Sequence, residues 1–168
     1  MMNLKKLIFC IAFFGVIGAT MAQTADSYEA EYARRIKLES INGVYIPTDL
    51  YDAFAEITRL SNAADLEKFK NAPDSVIYKS HFGLKKWIQL NWGLDDGSRI
   101  SDYLKQRGIS VPDDMANILV LMFHRQLNNQ PLNLEEETGK ITRRMEQEKM
   151  KRDSMKVIIS VEKRPHKG

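Results

Sequence analysis

"PDDMANILVLMFHRQLN", residues 112–128, is the stretch whose reading decides the fold. Pro112 suits the first turn of a helix, where its missing N–H is no loss, and Asp113 and Asp114 complement the positive end of the helix dipole. Met115, Ile118, Leu119, Met122, Phe123 and Leu127 then recur at helical spacing and make a broad apolar face. Asn128-Asn129 stops the helix.

Working outward, each flanking segment supplies another helix. Ser98 caps RISDYLKQR, which Gly108 ends. Before it, HFGLKKWIQLNWGL (81–94) predicts a helix that starts after Pro73-Asp74 and runs to Asn91 or Trp92. Leu84, Trp87, Ile88 and Asn91 form its face, and Gly93 terminates it. Thr48 or Pro47 opens an earlier helix, with Asp49 in its first turn and a stripe of Leu50, Phe54, Ile57 and Leu60. A short helix over 62–71 offers Leu66 and Phe69 to the same core. Residues 25–40 suit a polar helix with Tyr28, Tyr32 and Ile36 four apart. Asn42-Gly43 breaks it, and 44–46 reads as extended chain.

Downstream, Asn133 caps LEEETGKITRRMEQEKMKRDSM, where Glu136–Lys140 and Glu148–Arg152 have the favourable i, i+4 order. Ile141, Met145 and Met155 are too few for a coiled-coil seam, because Glu148 and Arg152 interrupt it. A solvated helical arm follows from this pattern, with strand-like VIISV (157–161) near its end. The expectation is an all-α fold: a compact domain of about five helices over 44–130, a polar helix within 23–43, and a charged arm and tail over 131–168.

The first 22 residues read as a secretory leader. Lys5 and Lys6 form a positive region, Leu7–Gly18 an apolar one, and Thr20-Met21-Ala22 a cleavage pattern. The apolar run covers roughly 18 Å as a helix, short of a hydrocarbon core of about 30 Å. The protein is therefore expected to be exported, periplasmic or secreted, with no transmembrane segment after cleavage. Cys10 is the only cysteine and lies inside the leader, so the mature chain would have no disulfide, thiolate nucleophile or cysteine ligand. Residues 135–168 carry ten Lys/Arg against seven Asp/Glu, while 23–134 carry thirteen against fifteen. A nucleic-acid binder needs a basic face on its folded body, and this body is mildly acidic. No nucleic-acid partner is expected.

The segments "YIPTDLYDAF", "HFGLKKWIQLNWGL", "SRISDYLKQRGI" and "PDDMANILVLMFHRQLN" resemble a family of uncharacterised bacterial domains, many of them in secreted or envelope proteins of Bacteroidetes. In that family Ile-Pro-x-Asp-Leu precedes His-Phe-Gly-Leu-x-x-Trp-Ile and Asn-x-Trp-Gly-Leu. Ser-Arg-Leu, Pro-Asp-Asp-Met and His-Arg-x-Leu-Asn follow. The resemblance covers about residues 45–129 and is specific in order and spacing, but it implies no activity. Two positions depart from the pattern: Asp95 stands in place of an aromatic, and Val111 in place of a histidine.

Leu84, Trp87, Ile88, Ile118, Leu119, Met122 and Phe123 are expected in the core. Trp92 lies off that stripe at the helix end and is either core or the cover of a pocket. Gly83 within a helix costs about 1 kcal/mol relative to alanine; close packing of another helix or a backbone approach to a ligand would explain it. His81, Trp92, Arg99, Asp113 and Asp114, around the turn 93–99, make up the candidate surface site. Arg99 and Arg125 suit structural cations, either of them able to pair with Asp113 or Asp114. His124 is roughly 16 Å along the helix from Asp113, so a His/Asp site would have to use His81. The chain carries no phosphate loop, nucleophile elbow or His-Glu-x-x-His.

No catalytic residue, metal ligand or cofactor is therefore assigned. The expected function is a non-enzymatic, exported domain that binds another protein in the envelope. A small hydrolase using His81 with Asp113 or Asp114 is one alternative, and an immunity-type protein that neutralises a toxin is another.

Overall fold

A helix that is apolar on every side has to be enclosed by other elements, because no stripe of it can face water at low cost. The segment at 112–128 meets that condition more fully than its periodicity suggests. In the structure, a computed structural model, it forms α6 (Pro112–Leu127), buried at every position from Asp114 to His124 except Asn117. The structure describes residues 27–73, Ile77 and 82–162, the side chains of 82 and 157–162 excepted. The expected leader at 1–22, His81 and the tail after 162 lie outside the described residues.

Around α6 stand α1 (27–35), a hairpin of β1 (Ser40–Ile41) and β2 (Val44–Tyr45), α2 (Leu50–Leu60), α3 (Ala63–Lys70), α4 (Phe82–Asn91), α5 (Arg99–Lys105) and α7 (Leu134–Glu162). α6 packs against α2, α3, α4, α5 and α7. Phe123 joins three of these helices, its ring centroid 5.9 Å from Phe54 and 5.5 Å from Phe69. Met115, Leu119 and Met122 are completely buried, each stabilising the fold by roughly 1.5–3 kcal/mol relative to exposure. Asn129, at φ 52°, then ends α6. Its N–H reaches Gln126 O and the N–H of Gln130 reaches Arg125 O, a Schellman arrangement that satisfies carbonyls the helix would otherwise leave open.

The fold is mostly helical, as expected, but with seven helices among the described residues rather than about five, and with a small two-stranded sheet. Asn42 (φ 52°) and Gly43 (φ 78°) are the two central residues of a hairpin turn that pairs Ser40 with Tyr45 and Ile41 with Val44. A turn with both φ positive matches the strand twist, and Asn-Gly is the pair that adopts it most readily. Asp49, not Thr48 or Pro47, caps α2, its carboxylate accepting from Asp52 N at 3.0 Å. Ser98 and Ser101 form a reciprocal capping box at α5, both fully buried.

Two expectations at the ends of the chain are corrected. Residues 157–161 are helical, because α7 continues through them to Glu162. Extending an existing helix adds one hydrogen bond for each residue fixed, whereas a lone strand has nothing to pair with. The start of α7 is also not a free arm. Leu132, Leu134 and Ile141 pack on the core, Glu137 is buried, and the helix is exposed throughout only from Thr142 to Lys156.

α1 is fastened onto the turn between α4 and α5. Arg35 Nε donates to Gly97 O at 3.0 Å, and Tyr32 donates its hydroxyl to Asp102 at 3.1 Å. Burial, and then that hydrogen bond, push the Tyr32 hydroxyl up to about 12. Gly97, at φ 94°, lies under the Tyr32 ring, and a Cβ there would sit 2.4 Å from Tyr32 Cδ2. Gly97→Ala should therefore lower stability by about 1–3 kcal/mol from the backbone alone, with a further loss from the displaced ring. Urea denaturation of Gly97→Ala with and without Tyr32→Ala checks this. Equal losses in the two backgrounds would show that the ring is not the obstacle.

Candidate functional site

The predicted site residues do not come together. Trp92 is completely buried, not a surface side chain. The reason is the direction of α4. Phe82, Leu84, Trp87, Ile88, Leu90 and Trp92 leave no gap wider than about 80° around its circumference at 100° per residue, so periodicity alone leaves the inner face open. The structure puts Ile88 and Trp92 innermost, both fully buried, and leaves Leu84 and Trp87 half-buried. The inward face is thus turned by about one residue from the expected Leu84–Trp87–Ile88–Asn91 stripe. Trp87 meets the edge of Trp92 with ring centroids 6.0 Å apart.

Arg99 is a structural cation. Its guanidinium donates to Ile46 O and, at 3.4 Å, to Glu39 O, and lies 5.3 Å from the Tyr45 ring centroid. It ties α5 to the hairpin. The two aspartates diverge. Exposed Asp113 pairs with Lys85 of α4 at 2.6 Å, whereas buried Asp114 pairs with Arg144 of α7 at 2.6 Å. Arg125 pairs with neither; it binds Glu137 at 2.8 Å and Leu132 O at 2.6 Å. His124 is buried, its Nε2 3.2 Å from Lys70 O and its ring edge-on to Phe69. No group of three or more His, Cys, Asp or Glu side chains among the described residues is placed to hold a metal ion.

The turn 93–99 is partly covered, by α1 and the hairpin, with Asp95 and Asp96 exposed. Its glycines lie against Arg35, Tyr32 and Ile41. Of the expected surface site, the described residues are thus either buried or engaged in fixing helices.

A different surface is open. The end of α2, α3 and the start of α4 enclose two adjoining hollows of about 410 Å³ each, sharing Ile57, Ser61 and Leu84. One runs along Leu66 and Phe69 of α3 and reaches Phe123 of α6; the other is bounded by Leu60, Gly83 and Trp87. The walls are largely apolar. Leu60, expected in the core stripe, is 48% exposed, and Leu90, one helical turn beyond Trp87, is 63% exposed. Among the described residues nothing lies within 4 Å of where a Gly83 Cβ would stand, so no described helix packs on it. Ser61 is not available to a ligand as a donor, because its hydroxyl already reaches Ile57 O at 2.7 Å.

Sequence reasoning singled out Gly83, placed Trp87 and Leu60 in the core, and passed over Leu90. The signal was the spread of apolar residues around α4. A helix with one buried side and apolar residues around most of its circumference has to leave some of them in solvent.

These features define a small helical domain with one apolar groove and with its polar side chains largely committed to internal pairs. Residues 46–127 match a family model described as a Domain of unknown function (DUF6794), which takes in α2 to α6. Tyr32, Arg35, Glu137 and Arg144 fasten onto that span from outside it. No curated protein and no solved structure matches the chain. No helix among the described residues is long and apolar enough to cross a membrane.

Proposed function

We propose that this is an exported, non-enzymatic module that binds another protein in the cell envelope, and that the groove between α2, α3 and α4 is its binding face. The observation that carries the reading is the grouping of a half-buried tryptophan and an exposed leucine at a helical glycine, Trp87 and Leu60 beside Gly83, with Leu90 exposed one turn beyond Trp87 on α4. A leucine standing alone on a surface needs no explanation; apolar side chains grouped around a hollow mark an interaction site. A half-exposed tryptophan supplies large contact area with few rotamers to immobilise.

Export rests on the leader reading of residues 1–22. The hydrolase alternative loses its carboxylates, since Asp113 and Asp114 are paired with Lys85 and Arg144. The test is a photo-crosslinking amino acid placed in cells at position 90, and as a control at position 51, where Tyr51 is 66% exposed on α2. A discrete adduct is expected from 90 and not from 51. No adduct from 90, or the same adduct from both, would overturn the assignment.

A further inference from the structure

We propose that the occupant of this groove is an amphipathic helix from another protein that brings a carboxylate to Lys86. The inference rests on the groove being the binding face. The first argument concerns backbone hydrogen bonds. The walls are helices with no strand edge between them, and at the end of α2 Ser61 bonds back to Thr58 O and Ile57 O. An extended segment lying in the groove would find no ladder there to satisfy its own backbone. Strand addition needs a sheet edge, and the described sheet has strands of two residues. A helix arrives with its hydrogen bonds already made.

The second argument is shape. Gly83, Lys86, Trp87 and Leu90 fall at i, i+3, i+4 and i+7 on the outer face of α4. They present a depression, a flat ring and a knob over two turns, about 10 Å of helix. Ridges of a second helix pack into such a relief.

The third argument is charge. The acidic side chains around the groove are already engaged: Asp65 by Asn62 and Lys68, Glu56 by Arg59, Asp113 by Lys85. Lys86 is exposed and has no ion pair among the described residues. The surplus on this face is positive, so the complementary partner is acidic there. The exposed part of α7 is a poor fit, because residues 142–156 carry six Lys/Arg against three Asp/Glu. A second copy offering that helix would set cation against cation.

The experiment titrates the leader-free protein, residues 23–168, with two synthetic helical peptides that share one leucine-rich face and differ only in flanking residues, glutamate in one and lysine in the other. Binding is read by calorimetry. The glutamate peptide should bind about five- to tenfold more tightly at low salt, and Lys86→Glu should reverse the order. Gly83→Leu should abolish both while folding normally, since the site is open and leucine is the better helix former. Equal binding of the two peptides, still blocked by Gly83→Leu, would remove the acidic partner and leave the groove. Binding of neither would remove the helical partner, and the crosslink at position 90 then decides separately whether the groove reading stands. A dimer in sedimentation that Gly83→Leu dissolves would make a second copy the occupant and overturn the proposal.

Discussion

Trp92→Ala is expected to lower unfolding stability by about 3–5 kcal/mol, the largest effect of any single core substitution in the domain. Trp92 is completely buried against Trp87, at the end of α4 where Gly93 turns the chain. Removing it leaves a cavity that Ile88 and Ile41, fixed in helix and hairpin, cannot fill. Its indole N–H has no hydrogen-bond partner among the described residues, which makes a second variant informative. Trp92→Phe loses part of the ring volume but also removes a buried donor that was never satisfied, so it should cost well under half as much as alanine. Trp87→Ala, at a half-buried position, should cost only about 1–2 kcal/mol. Chemical denaturation of the three variants decides. If Trp87→Ala proves the most damaging, α4 is turned the other way.

That inversion shows how far sequence alone carried. Existence and type of the helices were legible, because α2, α5 and α6 have periodic apolar positions and α5 and α6 have recognisable ends at Ser98, Gly108 and Asn129. The orientation of α4 was not, because a helix with apolar residues around most of its circumference fits a core in more than one rotation. Which one is chosen depends on α6, the hairpin and the Gly93 turn together. The hairpin itself was available in Asn42-Gly43, whose two positive φ values are the turn's requirement.

The candidate site was less legible still. Asp113 and Asp114 are adjacent in sequence and equally suited to a first turn, yet their partners, Lys85 and Arg144, come from opposite directions along the chain. No local pattern distinguishes a carboxylate that faces solvent from one that holds another helix. Leu90 was overlooked for the converse reason. Its exposure follows from which way α4 is rotated in the core, not from its own neighbourhood in the chain.

The start of α7 gives the other large effect. Deleting residues 135–168 should cost about 3–5 kcal/mol or more, while deleting only 150–168 should change stability by less than about 0.5 kcal/mol. Both deletions remove charged, mostly exposed helix, but the longer one also takes Glu137 and Arg144. Arg125 and Asp114, whose side chains are 19% and 4% exposed, would then keep their charges without their partners. Leaving such charges uncompensated is what makes breaking a buried pair expensive. Loss of Ile141 from the core edge adds to it. The same contacts set a pH dependence. Burial raises the Glu137 carboxyl, but hydrogen bonds from Lys140 and Arg125 outweigh that and hold it below its usual value of 4.5. A depressed carboxyl contributes fully above its unfolded pKa and loses its contribution as pH falls through the folded one. The stability gap between the full mature chain and the 135–168 deletion should therefore narrow below about pH 4.5. Thermal unfolding of both chains across that range checks it. A longer deletion as harmless as the shorter one would mean that α7 is not part of the folded unit.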